Sequence, residues 1–179
     1  MRALWEDNNL LNIVLLEPEK PDNCGNIGRT CVCANARLHL IYPLGFQLTE
    51  SKIHHAGLDY WERLDVHKYD NYDDFLSKND IILKTHKLYF ATTKAHKSYD
   101  EVKFNDEDFI IFGKESKGIP EEILKDHEDT CIRIPMYNEE RSLNLSNSVA
   151  IVLYEALRQN DYFGLKKYGE LHRLNYERK

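Results

Sequence analysis

Short runs of unbroken apolar residues, spaced along the chain by stretches that suit helices, are what most restricts the fold. Asn12-Ile13-Val14-Leu15-Leu16, Leu38-His39-Leu40-Ile41-Tyr42, Leu88-Tyr89-Phe90-Ala91-Thr92, Asp108-Phe109-Ile110-Ile111-Phe112 and Cys131-Ile132-Arg133-Ile134 each read as a strand. The run ending at Phe112 is the strongest, because aromatic and β-branched side chains crowd it. A weaker strand is expected from Asp65 to Tyr69. Helices are expected at Asn26 to Ala36, near Ser51 to Ala56, at Tyr72 to Ser77, at Pro120 to Lys125 and at Ser146 to Asn160, where Ser146 can serve as the cap. Pro18, Pro21 and Gly25 mark a loop before the first helix. Thr93 to Glu107 reads as a long loop. Apolar strands alternating with helices indicate a single-domain α/β fold with a mostly parallel sheet flanked by helices. In the last helix, Val149, Ile151, Val152, Leu153, Ala156 and Leu157 cover more than one stripe. That helix is expected to be buried on two sides, in the core or against another subunit.

Composition excludes some partners. The chain has 179 residues, 42% of them hydrophobic, which suits one domain with a sizeable core. No apolar run reaches membrane-spanning length, and the acidic start Met1-Arg2-Ala3-Leu4-Trp5-Glu6-Asp7 lacks the apolar core of a secretion signal, so a cytoplasmic protein with no membrane partner is expected. A net charge of −6 argues against a sequence-blind grip on nucleic acid, and no DNA partner is expected. Cys24, Cys31, Cys33 and Cys131 match no zinc spacing and read as structural thiols. The adjacent pair His54-His55 points two ways on a helix and makes a poor chelate. No metal site is expected. Residues 161–179 carry Lys166, Lys167, Arg173, Arg178 and Lys179 against three acids, and read as a solvated terminal helix rather than a nucleic-acid arm.

Three segments carry chemistry. Gly113 to Gly118 has the outline of a phosphate loop, but Ile119-Pro120 stands where Lys and then Ser or Thr would hold phosphates and magnesium, which disfavours ATP hydrolysis. The spacing also misses the dinucleotide pattern. Two readings remain, a tight turn before a helix started by Pro120, or a strand end where a ligand approaches the backbone; by itself the turn is the stronger. Asn26-Ile27-Gly28-Arg29 stands at the expected start of the first helix, where a helix N-terminus and a planar guanidinium both favour phosphate. Taken alone, an exposed arginine paired with a carboxylate is the stronger reading of Arg29. Ser142, Asn144, Ser146, Asn147 and Ser148 are denser than one helix cap requires, and point to a ligand rich in hydrogen-bonding atoms.

In this order and at these separations, Asn26 to Arg29, Ile110 to Pro120, and Ile132-Arg133-Ile134-Pro135-Met136 through Ser142-Leu143-Asn144-Leu145-Ser146-Asn147 to Tyr154-Glu155-Ala156 resemble the SPOUT (alpha/beta-knot) RNA methyltransferase family. Leu15 to Glu19, His39 to Phe46, Gly57-Leu58-Asp59-Tyr60 and Thr92-Thr93-Lys94 are similar to one branch, the small tRNA wobble-position (cytidine/uridine-34) ribose 2′-O-methyltransferases. The chain departs from that branch at Lys114, where Pro is usual, at Lys117, where Arg is common, and at Gly28, which replaces a larger apolar residue.

The resemblance implies a domain over residues 11–164 with a C-terminal trefoil knot, preceded by a leader (1–10) and followed by a charged tail (165–179). It implies S-adenosyl-L-methionine as methyl donor, held by Ala91, Thr92, Gly113, Ile134, Ser142 and Leu143. It implies a tRNA substrate bound through its anticodon stem-loop, and a homodimer that builds each active site from both subunits. Arg29 is the leading catalytic candidate, with Ser142 and Asn144 positioning cofactor or ribose. A guanidinium almost never loses its proton, so Arg29 is expected to hold a phosphate and stabilise a developing alkoxide. The same chemistry on ribosomal RNA and a non-catalytic binding module of the same fold are the alternatives, and a flavodoxin-like flavin protein is the reading outside the family.

Overall fold

The computed structural model describes residues 10–47, 60–137 and 141–174. Six strands, β1 (Asn12–Leu16), β2 (Arg37–Ile41), β3 (Val66–Tyr69), β4 (Leu88–Ala91), β5 (Phe109–Phe112) and β6 (Cys131–Ile132), form one sheet in the order β3-β2-β1-β5-β4-β6. Every pairing is parallel. The described helices are α1 (Pro21–Ala34), α2 (Tyr72–Lys78), α3 (Asp80–Leu83), α4 (Glu121–Leu124) and α5 (Leu145–Gln159).

Alternation along the strands divides the core into two layers. Ile13, Leu15, Leu38, Leu40, Ile110 and Phe112 face one side, where α1 supplies Cys24, Ile27, Cys31 and Ala34 and α5 supplies Val149, Val152, Leu153, Ala156 and Leu157. Val14, Leu16, Ile41, Phe109 and Ile111 face the other, against Phe75 of α2 and Leu124 of α4. A sheet covered on both faces is why its central strands carry unbroken apolar runs.

The expected strands and most helices are present with small shifts at their ends, and α3 is an additional short helix. Two expectations are corrected. The first helix starts at Pro21, not Asn26. Proline suits the first helical turn, where its missing N–H has no partner to lose, and the helix runs on through Gly25. The last helix is capped by Asn144 rather than Ser146, the Asn144 side chain accepting from the N–H groups of Ser146 and Asn147. Within this chain the last helix is buried along one stripe, at positions i, i+3, i+4, i+7 and i+8 from Val149, and Ile151 and Tyr154 on its other side are 37% and 44% exposed. The expected helix near Ser51 to Ala56, the pair His54-His55 and the leader's first nine residues lie outside the described residues. Burial pushes the thiols of Cys24 and Cys31 up to about 12, which suits inert core cysteines; Cys33 is exposed.

One polar group sits inside the second layer. His39 is 3% exposed and its two ring nitrogens bond to the Tyr69 hydroxyl at 2.8 Å and to Asn12 Oδ1 at 3.0 Å. Asn12 Nδ2 is spent on the Glu107 carbonyl, so Asn12 can only accept from His39, and Nε2 carries the proton while Nδ1 accepts from Tyr69. A second proton has no place to go, and burial, reinforced by His67 and Arg37, brings the imidazole down to about 3. In the unfolded chain it titrates near 6.5. As pH falls below that value the unfolded state takes up a proton that the folded state refuses, so stability declines from about pH 6.5 toward pH 3. Urea titrations should show a loss of about 2 kcal/mol between pH 6.5 and 5, above the range where carboxylates contribute. His39→Gln should flatten that slope; an unchanged slope would show that His39 does not cause it.

Candidate active site

A parallel sheet ends all its strands at one edge, and ligands of open α/β sheets sit beyond the carboxyl ends. Here β4, β5 and β6 lead directly into a cavity of about 580 Å³, a volume that suits a nucleoside-sized ligand. Its walls come from residues 91–94, 112–119 and 132–134, from Met136, from residues 141–143, and from Leu145, Ser148 and Val152 of α5. Ala91, Thr92, Gly113, Ile134, Ser142 and Leu143, scattered over 53 positions of sequence, all line this one cavity. Phe112, Ile132, Ile134, Leu143 and Val152 provide apolar surface. Among the described residues, no protein group hydrogen-bonds the main chain of Ile134 or Leu143. Flat apolar walls beside open main-chain groups fit an adenine ring.

Gly113 has a structural reason to be glycine. A Cβ there would stand 2.1 Å from the carbonyl carbon of Gly118 and 2.3 Å from the nitrogen of Ile119. The segment doubles back on itself, closed by the Gly118 N–H donating to the Lys114 carbonyl at 2.8 Å, and Gly118 has φ +69. The tight-turn reading therefore accounts for both glycines, and a side chain at position 113 would deform the loop before it met any ligand.

The loop is fastened to the start of α1. Lys114 pairs with Glu17 at 2.6 Å, and Ser116 donates through N–H and hydroxyl to the Glu19 carboxylate, which lowers that carboxyl below its usual range. Glu115 accepts from the Glu19 N–H and from Asn23 Nδ2, both at 2.8 Å. Asn23, 5% exposed, then accepts from Asn144 Nδ2 at 3.0 Å. Glu115, Asn23 and Glu19 are absent from the sequence-derived site because nothing in their spacing announces a contact across 92 or more positions. Lys114, where the resembling branch has Pro, gains its partner in Glu17.

Asn144 does not line the cavity. Its Oδ1 accepts from Ser146 N–H, Ser146 hydroxyl and Asn147 N–H, and its carbonyl accepts from the Ser148 hydroxyl. Three of the five side chains in the polar cluster are thus engaged in one cap, while Ser142 and Ser148 line the cavity; of the candidate pair Ser142 and Asn144, Ser142 alone does so.

Arg29 is corrected in its local setting. With α1 starting at Pro21, it lies about 12 Å along the axis from the helix N-terminus, beyond the first turn where the dipole attracts anions. It is exposed and does not line the cavity of its own chain. Its guanidinium lies 5.8 Å from the centre of the Tyr60 ring, and the Tyr60 hydroxyl donates to the Gly25 carbonyl at 2.5 Å. Gly28 leaves room for the neighbouring side chains, since a Cβ there would stand 3.0 Å from Leu64 and 3.1 Å from Trp61.

Around the cavity mouth, Lys94 and Lys114 pair with Glu121 and Glu17. Lys117, Arg133 and Arg141 also line it, and pair with no carboxylate among the described residues.

The sequence profile of the SpoU rRNA Methylase family matches residues 10–154. The chain belongs to the SpoU methylase family. A relative from Geobacillus stearothermophilus is 46% identical over 158 residues, covering 87% of this chain and 98% of its own. A relative from Saccharophagus degradans, named tRNA (cytidine(34)-2′-O)-methyltransferase, is 42% identical over 158 residues, covering 88% of this chain and 100% of its own. A solved structure described as giving insight into the 2-OH methylation of C/U34 on tRNA superposes with a TM-score of 0.78 at 38% identity, covering 86% of this chain and 98% of that one. In this SpoU methylase the cavity lies within the matched segment, and the charged residues after 164 lie beyond it.

Two substitutions separate the cap from the brace. Asn144→Ala removes the helix cap and the bond to Asn23, and urea unfolding should show a loss of about 2 kcal/mol. Asn144→Asp keeps the capping oxygen but faces the Asn23 carbonyl with a second acceptor, so it should recover roughly half of that loss. Equal stability of both variants and the wild type would refute the brace. Gly113→Ala should lower the melting temperature with no ligand present, because the clash is with backbone; a wild-type melting curve would show that the loop adjusts freely.

Proposed function

We propose that this chain is an S-adenosylmethionine-dependent tRNA (cytidine/uridine-34) 2′-O-methyltransferase acting on the ribose of the wobble nucleotide. The observation that carries the reading is the cavity beyond β4, β5 and β6, lined by apolar side chains and open main-chain groups, in a chain so similar to relatives bearing that name. When bound, S-adenosylmethionine supplies a methyl group on a positively charged sulfur. Ala91, Thr92, Gly113, Ile134, Ser142 and Leu143 would hold it, mostly through main-chain groups.

The single carboxylate of a donor with net positive charge does not account for three cavity-lining cations, Lys117, Arg133 and Arg141, that have no carboxylate partner among the described residues. Phosphates of an RNA substrate do. Arg29 holds a phosphate beside the target ribose and stabilises the negative charge that builds on its 2′ oxygen; it keeps its own proton throughout. Ser142 orients the ribose or cofactor from the cavity wall. Asn144 acts as a positioning residue, because its amide is committed to the cap and to Asn23.

Arg29 stands outside its own chain's cavity, so it serves the cavity of a second copy, in a homodimer that covers Ile151 and Tyr154. The chain path is proposed to be a trefoil knot, with the segment after β6 threading beneath residues 93–107. That loop is bonded to Arg133 on one side, through Tyr99 N–H and the Lys97 carbonyl, and to Gln159 and Asn160 at the end of α5 on the other. The protein is placed in the cytoplasm, where tRNA is modified; no helix among the described residues is long and apolar enough to cross a membrane.

Mass spectrometry of nucleosides from tRNA of cells with and without the protein should show a 2′-O-methyl group at position 34 only when it is present. Arg29→Ala should lower methyl transfer by about a hundredfold or more while calorimetry shows S-adenosylmethionine affinity within about twofold of wild type, as a residue that holds the RNA phosphate rather than the cofactor requires. Near-normal transfer by that variant would remove Arg29 from the mechanism.

A further inference from the structure

The composition of the segment after α5 predicts a solvated helix, and the segment is not one. Residues 165–174 have no regular secondary structure and, after Leu165, are exposed throughout. Its point of departure is well defined. Asp161, Tyr162, Phe163 and Gly164 all have left-handed backbone, with φ of 51, 62, 45 and 78. Three non-glycine residues in that region cost roughly 1–2 kcal/mol each, offset here because Tyr162, Phe163 and Leu165 pack against the main core. Lys167 folds back onto Asp161 and the ring of Tyr162. The chain is thus pinned as it leaves the domain, and residues 168–174 are presented outward.

These residues have a distinct chemistry. Tyr168 is 85% exposed and Leu174 74%, although a helix or a core contact would bury them. Lys166 and Arg173 pair with no carboxylate among the described residues. Residues 165–179 hold five Lys and Arg against two Glu; with that surplus removed, the rest of a chain whose net charge is −6 is more acidic still. An acidic body repels RNA, so attraction must come from local positive ground. The segment begins about 21 Å along α5 from the end that lines the cavity, and ten extended residues span up to roughly 33 Å. It can reach phosphates flanking a nucleotide held in the cavity.

We infer that residues 165–174 form an RNA-gripping extension, in which Lys166 and Arg173 contact backbone phosphates and Tyr168 stacks on an unpaired base. Exposed aromatic and basic residues interleaved in an irregular strand are the combination that binds single-stranded RNA. This rests on the RNA-substrate reading above and adds a contact outside the catalytic cavity.

The test uses the full chain and substrate tRNA labelled with a fluorophore, with affinity read by anisotropy at several salt concentrations and methyl transfer read separately. Lys166→Glu with Arg173→Glu should weaken binding about tenfold or more and make the plot of log affinity against log salt shallower by between one and two. Tyr168→Ala should weaken binding severalfold at an unchanged slope, because stacking releases no counterions. In both variants KM for tRNA should rise while kcat and S-adenosylmethionine affinity stay as in wild type. Unchanged affinity and slope would overturn the proposal, and so would a loss confined to binding of anionic vesicles, which would mark the segment as a membrane contact. Wild-type protein that binds tRNA but transfers no methyl to it would instead overturn the enzymatic reading and leave this binding result standing or falling by itself.

Discussion

The side-chain amide of Asn23 is bonded at both ends, and the cavity depends on both bonds. Its nitrogen donates to Glu115 and its oxygen accepts from Asn144. Through one buried group, the start of α1, the loop after β5 and the cap of α5 are held at fixed distances. A parallel sheet needs such a device. Its ladder positions strands but stops at their ends, and the loops beyond have no ladder of their own. A buried amide that is satisfied at both ends is costly to disturb, since moving any of the three parts leaves a donor or acceptor without a partner.

The loop between Gly113 and Ile119 shows how local strain and distant anchoring combine. Its own backbone comes so close that only glycine fits at the first position. Lys114, Glu115 and Ser116 then tie it to Glu17, Glu19 and Asn23. The result is a firm wall from a segment that is neither helix nor strand. Charge is distributed with similar economy. The acidic body discourages indiscriminate contact with nucleic acid, while cations without carboxylate partners collect at the cavity mouth and again beyond α5.

The strands were legible in the sequence because burial on both faces leaves an unbroken apolar run, and that signal is local. The residues that meet at the cavity were expected from the resemblance of three segments to a known family, not from the apolar pattern of the strands they follow. Features that depend on contacts across the fold were not legible. Pro21 looked like part of a loop, yet it opens α1, and this moved Arg29 from a helix end to a helix middle. Ser146 looked like the cap, yet Asn144 holds that place because Asn23 awaits its amide. The Ser and Asn cluster looked like one ligand site, yet three of its five side chains are engaged in one cap and only Ser142 and Ser148 line the cavity.

By itself, then, the sequence determined the α/β class, the strands and the tight turn between Gly113 and Gly118, set by short-range patterns of apolar and glycine residues. Tertiary structure alone decided which polar side chains face the cavity and which are spent holding it together. A hydrogen bond between residues more than ninety positions apart leaves no periodic trace in the chain, and it exists only once the parallel sheet has brought its strand ends to a common edge.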